Sequence, residues 1–591
     1  MVRDSSIARP PSSGRLGAAI AAVLLISAGA AVYANSFSGV FLFDDEPAIL
    51  KNPHIRSLTP LGDALIAPEN TTVSGRPLVS LSLAINYALG GLNVWGYHAL
   101  NLAVHLLAGL VLFGVVRRTL LSPRLDARYT GRATWLGLVI ALLWVVHPLQ
   151  TQAVTYVVQR AESMAGLFYL LTLYSVIRGA GGSAAPAWFG AAVVFCGLGM
   201  ATKETPVTAP VVVLIYDRVF LARSFRELLR RRWLLYVALA ATWCILAAVL
   251  WHSPRAASAG FGLEGLTPWA YARSQFGIIL HYLWLAVWPL RQCLDYAWPP
   301  AHTAREFAPQ MIVIVALLSL SGWALRRRPA WGFLGVWFFA ILAPTSSVVP
   351  IADLAFEHRM YLPLAAFIAA FVLAADGALR AVAMRRPGAG GAAAWRLARV
   401  VLIAGVAVAL GVLTLRRNRE YHSAVAMWED VIEKRPRNPR GYVNLGMALN
   451  ELGSFDQAKT RFRQAVEIEP RYPKAHNELA VALCRTGEAA ASFAHFRTAI
   501  KLAPNDAEAH NNFGVALCQS GRLNEGIEHL TRALHLNPRM ADAHVNLGAA
   551  YEQIGRRAEA VVAYENVLRL RPDDADVRQR LNALRRAPSG E

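Results

Sequence analysis

Three adjacent carboxylates, Asp44, Asp45 and Glu46, follow Phe41-Leu42-Phe43 and precede Pro47, just beyond the first apolar run of the chain. A carboxylate can take a proton from a nucleophile, and a like charge beside it tends to raise its pKa, which makes it a better base near neutral pH. In a bundle of membrane helices, a triplet at that place sits at the mouth, where a donor held in the membrane and an acceptor in water can meet. The alternative for any acidic triplet is a solvated loop. The elements around the triplet decide between the two.

The chain has 591 residues, 55% of them hydrophobic, and a formal charge of +20. That is too apolar for a soluble enzyme, but the apolar runs lie almost wholly before Leu415. The expected organisation is a cytoplasmic tail over residues 1–15, a polytopic membrane domain over 16–415 and a soluble helical domain over 420–585. The arginines sit in short clusters between apolar runs rather than along one face, a pattern that orients loops and argues against a nucleic-acid partner. Cys196, Cys244, Cys293, Cys484 and Cys518 have no metal-ligand spacing and imply neither a zinc site nor a disulfide framework.

Arg3, Arg9 and Arg15 place the N-terminus inside, and the apolar run 16–34 is read as an uncleaved anchor, although Val32-Tyr33-Ala34 also resembles a leader cleavage site. Residues 35–96 form an outer connection holding the triplet, Asn52-Pro53 and Gly75-Arg76-Pro77. The span 97–116 returns to an inner loop with Arg117, Arg118, Arg124, Arg128 and Arg132. The span 135–147 reaches an outer turn at His147-Pro148, and a helix carrying Gln159, Arg160 and Glu162 runs back to Arg178. The span 186–201 leads to an outer turn with Lys203 and Glu204, a sixth returns to Arg218 and the basic segment 223–232, and 233–251 goes out again.

The apolar run 276–290 breaks this alternation, because a crossing there would put Arg326-Arg327-Arg328 outside. Residues 252–308 are therefore read as an outer region whose apolar stretch is interfacial or re-entrant, with Trp284, Trp288 and Tyr296 suited to that depth. Spans over 309–325, 331–349, 361–383 and 397–415 follow, with Glu357-His358-Arg359 in an outer loop. The sum is about eleven crossings, and it delivers the C-terminal domain outside.

Pro436, Pro470, Pro504, Pro538 and Pro572 recur at the 34-residue step of tetratricopeptide repeats, and Gly453, Gly487, Gly521 and Gly555 keep the same step. Four repeats over about 437–572 are expected, preceded by a half-unit around Trp428, each burying its face only by stacking on the next. Small residues Gly446, Ala480, Gly514 and Gly548 face a bulky slot filled by Phe462, Phe496, Leu530 and Tyr564. Asn444, Asn512 and Asn546 occupy one equivalent position, with Glu478 interrupting the series. A ladder of carboxamides can hold an extended acceptor peptide by its backbone, and it resembles the ladder of the nucleocytoplasmic N-acetylglucosamine transferase; asparagine there also suits helix packing.

The motifs Phe43-Asp44-Asp45 with Asn52-Pro53, His147-Pro148 through Arg160-Ala161-Glu162, Lys203-Glu204 with Tyr216-Asp217, and Glu357-His358-Arg359-Met360-Tyr361, followed by the repeats, resemble the transmembrane O-mannosyltransferases with repeat tails, the TMTC family, and their bacterial relatives. The resemblance spans nearly the whole chain. It implies an all-α fold, a GT-C-like helix bundle followed by a tetratricopeptide solenoid, and a donor sugar carried on polyprenyl or dolichyl phosphate. With only six lysines the composition is of bacterial type, which points to a multi-pass protein of the inner membrane with its repeats periplasmic.

For such a transfer the residues divide into roles. Asp44 is the expected base and Asp45 orients the acceptor or a second group. The leaving phosphate needs positive charge, and Arg160, Lys203 and Arg359 stand at predicted outer helix ends where they can converge on it; their alternative is snorkelling to the interface. Glu162 and Glu204 are expected to pair with these cations, with Glu357, His358 and His147 in support, although a histidine before proline is often a turn residue. No metal constellation is evident, while the Asp44-Asp45 pair beside a phosphate would also suit magnesium or manganese. The reading is an inverting, lipid-phosphate-sugar-dependent protein O-glycosyltransferase that takes a membrane lipid carrier and a polypeptide acceptor. Its rivals are an oligosaccharide ligase working through the 252–308 region and a non-catalytic anchor for the repeats.

Overall fold

The computed structural model describes residues 12–68, 71–125, 129–182, 184–252, 259–261, 263, 265–384 and 389–586. Arg3, Arg9, Arg128, Arg385 and Arg386 lie outside them. Among the described residues the ordered backbone is helical, apart from one isolated antiparallel bridge between Ala259 and Ile351. The chain divides into two units, residues 1–427 and 428–591, and the division falls inside the helix Ala424–Lys434.

In lipid a segment must satisfy its backbone polar groups internally, so the apolar runs of the first unit fold as helices. Among the described residues seven are long and apolar enough to cross a membrane: Leu16–Ser38, Val94–Leu120, Val157–Ala180, Phe225–His252, Ala304–Arg327, Pro363–Val382 and Leu397–Glu420. An eighth is a pair, Ala133–Val145 and Pro148–Val154, bent by 57°. Pro148 has no N–H to continue the first helix, and His147 before it is extended (φ −74°, ψ 132°), so the bend is written in the His-Pro dipeptide. Pro77–Gly90, Ala185–Met200 and Pro329–Leu342 are shorter apolar helices.

The stretches expected to span fall largely in helix, but 331–349 is helical only to Leu342, and among the described residues seven or eight helices, not about eleven, are long and apolar enough to cross. The first helix belongs to the bundle: Ala21 and Leu25 are buried against Phe113, Leu138 and Ala141. The 276–290 run falls in one helix, Pro268–Val287, which buries Tyr271, Gln275 and Tyr282 while Trp284 and the following Trp288 are exposed.

Ion pairs mark one end of this unit and hydrogen bonds the other. At one, Arg132 pairs with Asp376, Arg399 reaches the same carboxylate (3.4 Å) and Arg232 holds Asp217 (2.5 Å). At the other, Asn418 near the end of the last long helix donates to Asn35 (3.2 Å) and accepts from Thr155 (2.7 Å), and His422 meets the Asn35 carbonyl (2.7 Å). The first connection, the 147–160 turn and the exit of the last helix therefore share one face.

The second unit consists of four antiparallel helix pairs, from Pro439–Glu451 with Phe455–Ile468 to Ala541–Gln553 with Arg557–Leu570, closed by Ala575–Arg586. The turn within each pair needs a left-handed residue, and Gly453, Gly487, Gly521 and Gly555 supply it at φ between 75° and 84°. The small positions let the helices meet: a Cβ on Gly548 would lie 2.6 Å from the Tyr564 ring.

Candidate active site

The acidic triplet splits into three unlike groups. Phe43 takes a left-handed backbone (φ 48°), which a bulky residue adopts only where its surroundings hold it. The following Asp45 is fully buried and holds that turn: Oδ2 accepts from the Leu42 N–H (3.0 Å) and Oδ1 from the Val158 N–H (2.7 Å). Burial pushes its carboxyl up to about 8, against the two backbone N–H groups and Arg160, which draw it down. Asp44 remains half-buried; its N–H donates to Tyr156 Oη (2.8 Å), and its side chain also bonds to that hydroxyl. Glu46 is half-buried and pairs with the exposed Lys51 (2.7 Å).

Each Asp45 oxygen already accepts one backbone N–H group, so a divalent ion held by Asp44 and Asp45 would have to share those oxygens. Among the described residues no group of three or more His, Cys, Asp or Glu could hold a metal.

Arg160 departs from its expected place at a phosphate. Its side chain is fully buried, with Nε on Asn101 Oδ1 (2.7 Å), Nη1 on Ser82 O and Oγ (3.2 Å each) and Nη2 on the Tyr97 carbonyl (3.0 Å). It is a strut joining the helices Pro77–Gly90, Val94–Leu120 and Arg160–Ala180, and it lies in the electrostatic reach of Asp45. Arg359 is likewise turned into the protein: it donates to the carbonyls of Thr345 (3.0 Å), Leu354 (2.7 Å) and Asp353 (2.6 Å), which fastens the 345–359 loop. Folding gives both guanidiniums buried carbonyls that would otherwise lack donors.

Lys203 is buried and forms an ion pair with Glu162, and Arg76 reaches Glu204 (3.5 Å), so both acids pair with cations. His358 joins this group. Its N–H donates to Gln152 Oε1 (2.8 Å) and its ring stacks on Phe356 at 5.0 Å. Burial, with Lys203, Arg359 and Arg76 adding to it, holds the imidazole well below its ordinary pKa, and its buried Nδ1 has no hydrogen-bond partner among the described residues. Glu357 is a brace for the 292–296 segment, accepting from the Cys293 N–H (2.6 Å), Tyr296 Oη (2.5 Å) and Gln292 (3.0 Å). His147 is a turn residue, its Nδ1 accepting from the Leu149 N–H (3.2 Å) while Nε2 faces the Ala286 carbonyl (3.2 Å). Tyr156 and Arg76 are the residues that motif reading left without a role. Both lie inside or beside quoted motifs, and nothing in their type distinguishes them from packing residues.

In the repeat unit, two of the three ladder asparagines are links of a chain. Asn546 donates to Asn511 (2.9 Å), Asn511 to Asn512 (3.2 Å), Asn512 to Asn477 (3.3 Å) and Asn477 to Glu478 (3.2 Å). Asn444 stands outside it, with a buried Nδ2 that finds no partner among the described residues. Burial, with Glu508 adding to it, pushes the Glu478 carboxyl up to about 7.

Models of the tetratricopeptide repeat match residues 411–458, 451–507 and 541–574, and one described as TPR repeat matches 514–555. The mouse protein named Protein O-mannosyl-transferase TMTC1 is 35% identical over 227 residues, which is 35% of this chain and 23% of that one. Human Protein O-mannosyl-transferase TMTC2 is 33% identical over 210 residues, 34% of this chain and 24% of that one. The matched stretch thus spans about a quarter of these curated relatives. A solved structure from a functional characterization of Pseudomonas aeruginosa pilF is 29% identical, covering 25% of this chain and 67% of that one at a TM-score of 0.24. The chain is a multi-pass membrane protein with C-terminal tetratricopeptide repeats, and over about a third of its length it is similar to proteins named Protein O-mannosyl-transferase TMTC1 and TMTC2.

Proposed function

We propose that this chain moves a sugar, mannose by analogy with its relatives' names, from a polyprenyl-phosphate carrier to a Ser or Thr hydroxyl of an exported polypeptide. The protein sits in a bacterial inner membrane with its repeats on the outer side, where they engage the acceptor. The observation that carries the reading is the division of labour in the acidic pair: Asp45 is spent on two backbone N–H groups, and this fixes a half-buried Asp44 at the face shared by the first connection and the 147–160 turn. Asp44 takes the hydroxyl proton as the oxygen attacks the anomeric carbon, the bond from that carbon to the phosphate oxygen breaks, and the carrier leaves as a phosphate monoester with inversion.

Charge supports a place for that phosphate. Lys203, Arg76 and Arg359 act on His358 together, with Glu162, Glu204 and Asp353 as their acidic partners, a cluster of cations whose chemistry suits an anionic phosphodiester. A non-catalytic anchor for the repeats is the second reading. It is favoured by the internal hydrogen bonds of Arg160 and Arg359, which need no ligand to complete them.

The purified chain, given polyprenyl-phosphate [³H]mannose and an envelope protein extract, tests the proposal. Transfer to protein by the wild type and its loss in Asp44→Asn support the enzyme; equal label with both removes Asp44 as the base, and label with neither favours the anchor.

A further inference from the structure

The repeats compare one site with itself four times. At the fourth residue of the first helix stand Tyr442, His476, His510 and His544, and on the second helix the facing position holds Arg461, His495, His529 and Ala563. In the second and third repeats the two histidines meet, Nδ1 to Nδ1, at 3.0 Å in each pair, with ring centroids 5.3 and 5.2 Å apart. The helix-one imidazole also faces the carbonyl of the repeat's proline through Nε2, at 3.0 Å for His476 and 3.2 Å for His510. A carbonyl only accepts, so Nε2 carries the hydrogen and Nδ1 is the acceptor in the neutral ring. The second imidazole is therefore the donor of each pair.

His544 keeps half of this arrangement. Its Nε2 faces the Pro538 carbonyl at 3.1 Å, which again leaves Nδ1 as an acceptor, but alanine replaces the ring that would donate to it. Where that ring would stand there is a cavity of about 360 Å³, lined by Leu534, His544, Leu547, Tyr551, Val562 and Ala563. Its walls are mostly apolar, with Glu559 and Asn566 as polar members beside His544, and Val562 at its edge is 57% exposed, so the cavity is reached from solvent.

We infer that this cavity receives an aromatic side chain bearing a hydrogen-bond donor, tyrosine, tryptophan or histidine, from the polypeptide that the repeats engage. The guest ring takes the place of the missing imidazole, its O–H or N–H donating to His544 Nδ1 while its faces replace water against Leu534, Leu547 and Tyr551. The geometry of His476–His495 and His510–His529 gives the ring position and the donor direction. An aliphatic guest would leave the acceptor unmet, which is where discrimination arises. The inference rests on the reading that the repeats engage a polypeptide, and adds which side chain the fourth repeat selects.

The test uses the full chain in lipid nanodiscs with the probe acetyl-Gly-Gly-Tyr-Gly-Gly-amide, its leucine counterpart as control, and saturation-transfer NMR. The wild type should saturate the tyrosine ring protons and give no signal with leucine. Ala563→His rebuilds the third pair from the protein's own residues; it should reduce tyrosine peptide binding at least tenfold while leaving the melting temperature equal or higher. Equal binding of the tyrosine peptide by wild type and Ala563→His, equal binding of the leucine peptide, or no binding to the wild type overturns the inference. If Asn444→Ala with Asn512→Ala abolishes binding that Ala563→His retains, the repeats still hold peptides and only this cavity is refuted.

Discussion

The Tyr156 hydroxyl lies 2.8 Å from the backbone nitrogen of Asp44, across 112 residues of sequence, and it also bonds to the Asp44 side chain. It ties the first outer connection to the bent segment after His147. Tyr156→Phe keeps the ring and removes the hydroxyl, so Asp44 should stay folded but lose its fixed direction. Loss of a neutral hydrogen bond is worth about 1 to 1.5 kcal/mol, or roughly a tenfold fall in transfer rate. The measurement is kcat with the lipid-linked donor, and an unchanged kcat would remove Tyr156 from the account.

The two aspartates should fail differently. Asp45→Asn presents an amide N–H₂ to one of the two backbone N–H groups that the carboxylate now satisfies, and the buried mismatch should cost about 1 to 3 kcal/mol. Asp44→Asn should leave the melting temperature nearly unchanged and remove activity, since the half-buried amide keeps the size of the carboxylate and can still bond to the Tyr156 hydroxyl. Equal melting temperatures for the two variants would contradict the clamp assigned to Asp45.

Arg160→Lys tests the strut. Lysine cannot reproduce the guanidinium fork that bonds Asn101, Ser82 and Tyr97, so folded protein in the membrane should fall severalfold. Arg76→Lys, by contrast, should leave abundance unchanged and raise KM for the donor. Reversed outcomes, measured by quantitative immunoblot and donor titration, would return Arg160 to the phosphate.

These contrasts mark what the sequence can reveal. The repeats were readable because a solenoid repeats its packing: small residues, bulky partners and turn glycines recur every 34 residues. The apolar runs and their basic flanks located the helices, because lipid leaves the backbone no alternative. Side-chain direction was not readable. Arg160 and Arg359 are the right chemistry for a phosphate, but neighbouring elements offer them carbonyls first. The asparagine ladder had the right spacing, yet Asn477 and Asn511 beside it turned part of it into an internal chain.

Glu478, at the end of that chain, gives a pH test. Its folded pKa is raised to about 7 by burial above the ordinary 4.5, so its contribution to stability is full below the unfolded value and is lost as pH rises through the folded one. The Glu478 share of the melting temperature of the repeats, read as wild type against Glu478→Gln, should fall between pH 5 and about pH 8. A difference that stays constant across that range would show that Glu478 does not contribute it. His495, His510 and His529 carry lowered pKa values from burial and work in the opposite sense: their contribution is present above the ordinary 6.5 and is lost as pH falls.

The most direct measurement of the central claim is a glycopeptide comparison on envelope proteins from cells carrying the wild-type chain and cells carrying Asp44→Asn at matched abundance. A Ser- or Thr-linked hexose present with the wild type and absent with the variant is the predicted result, and the modified peptide names the acceptor. Identical glycopeptides from both, with each protein folded and in the membrane, would contradict Asp44 as the base and leave the chain a membrane anchor for its repeats.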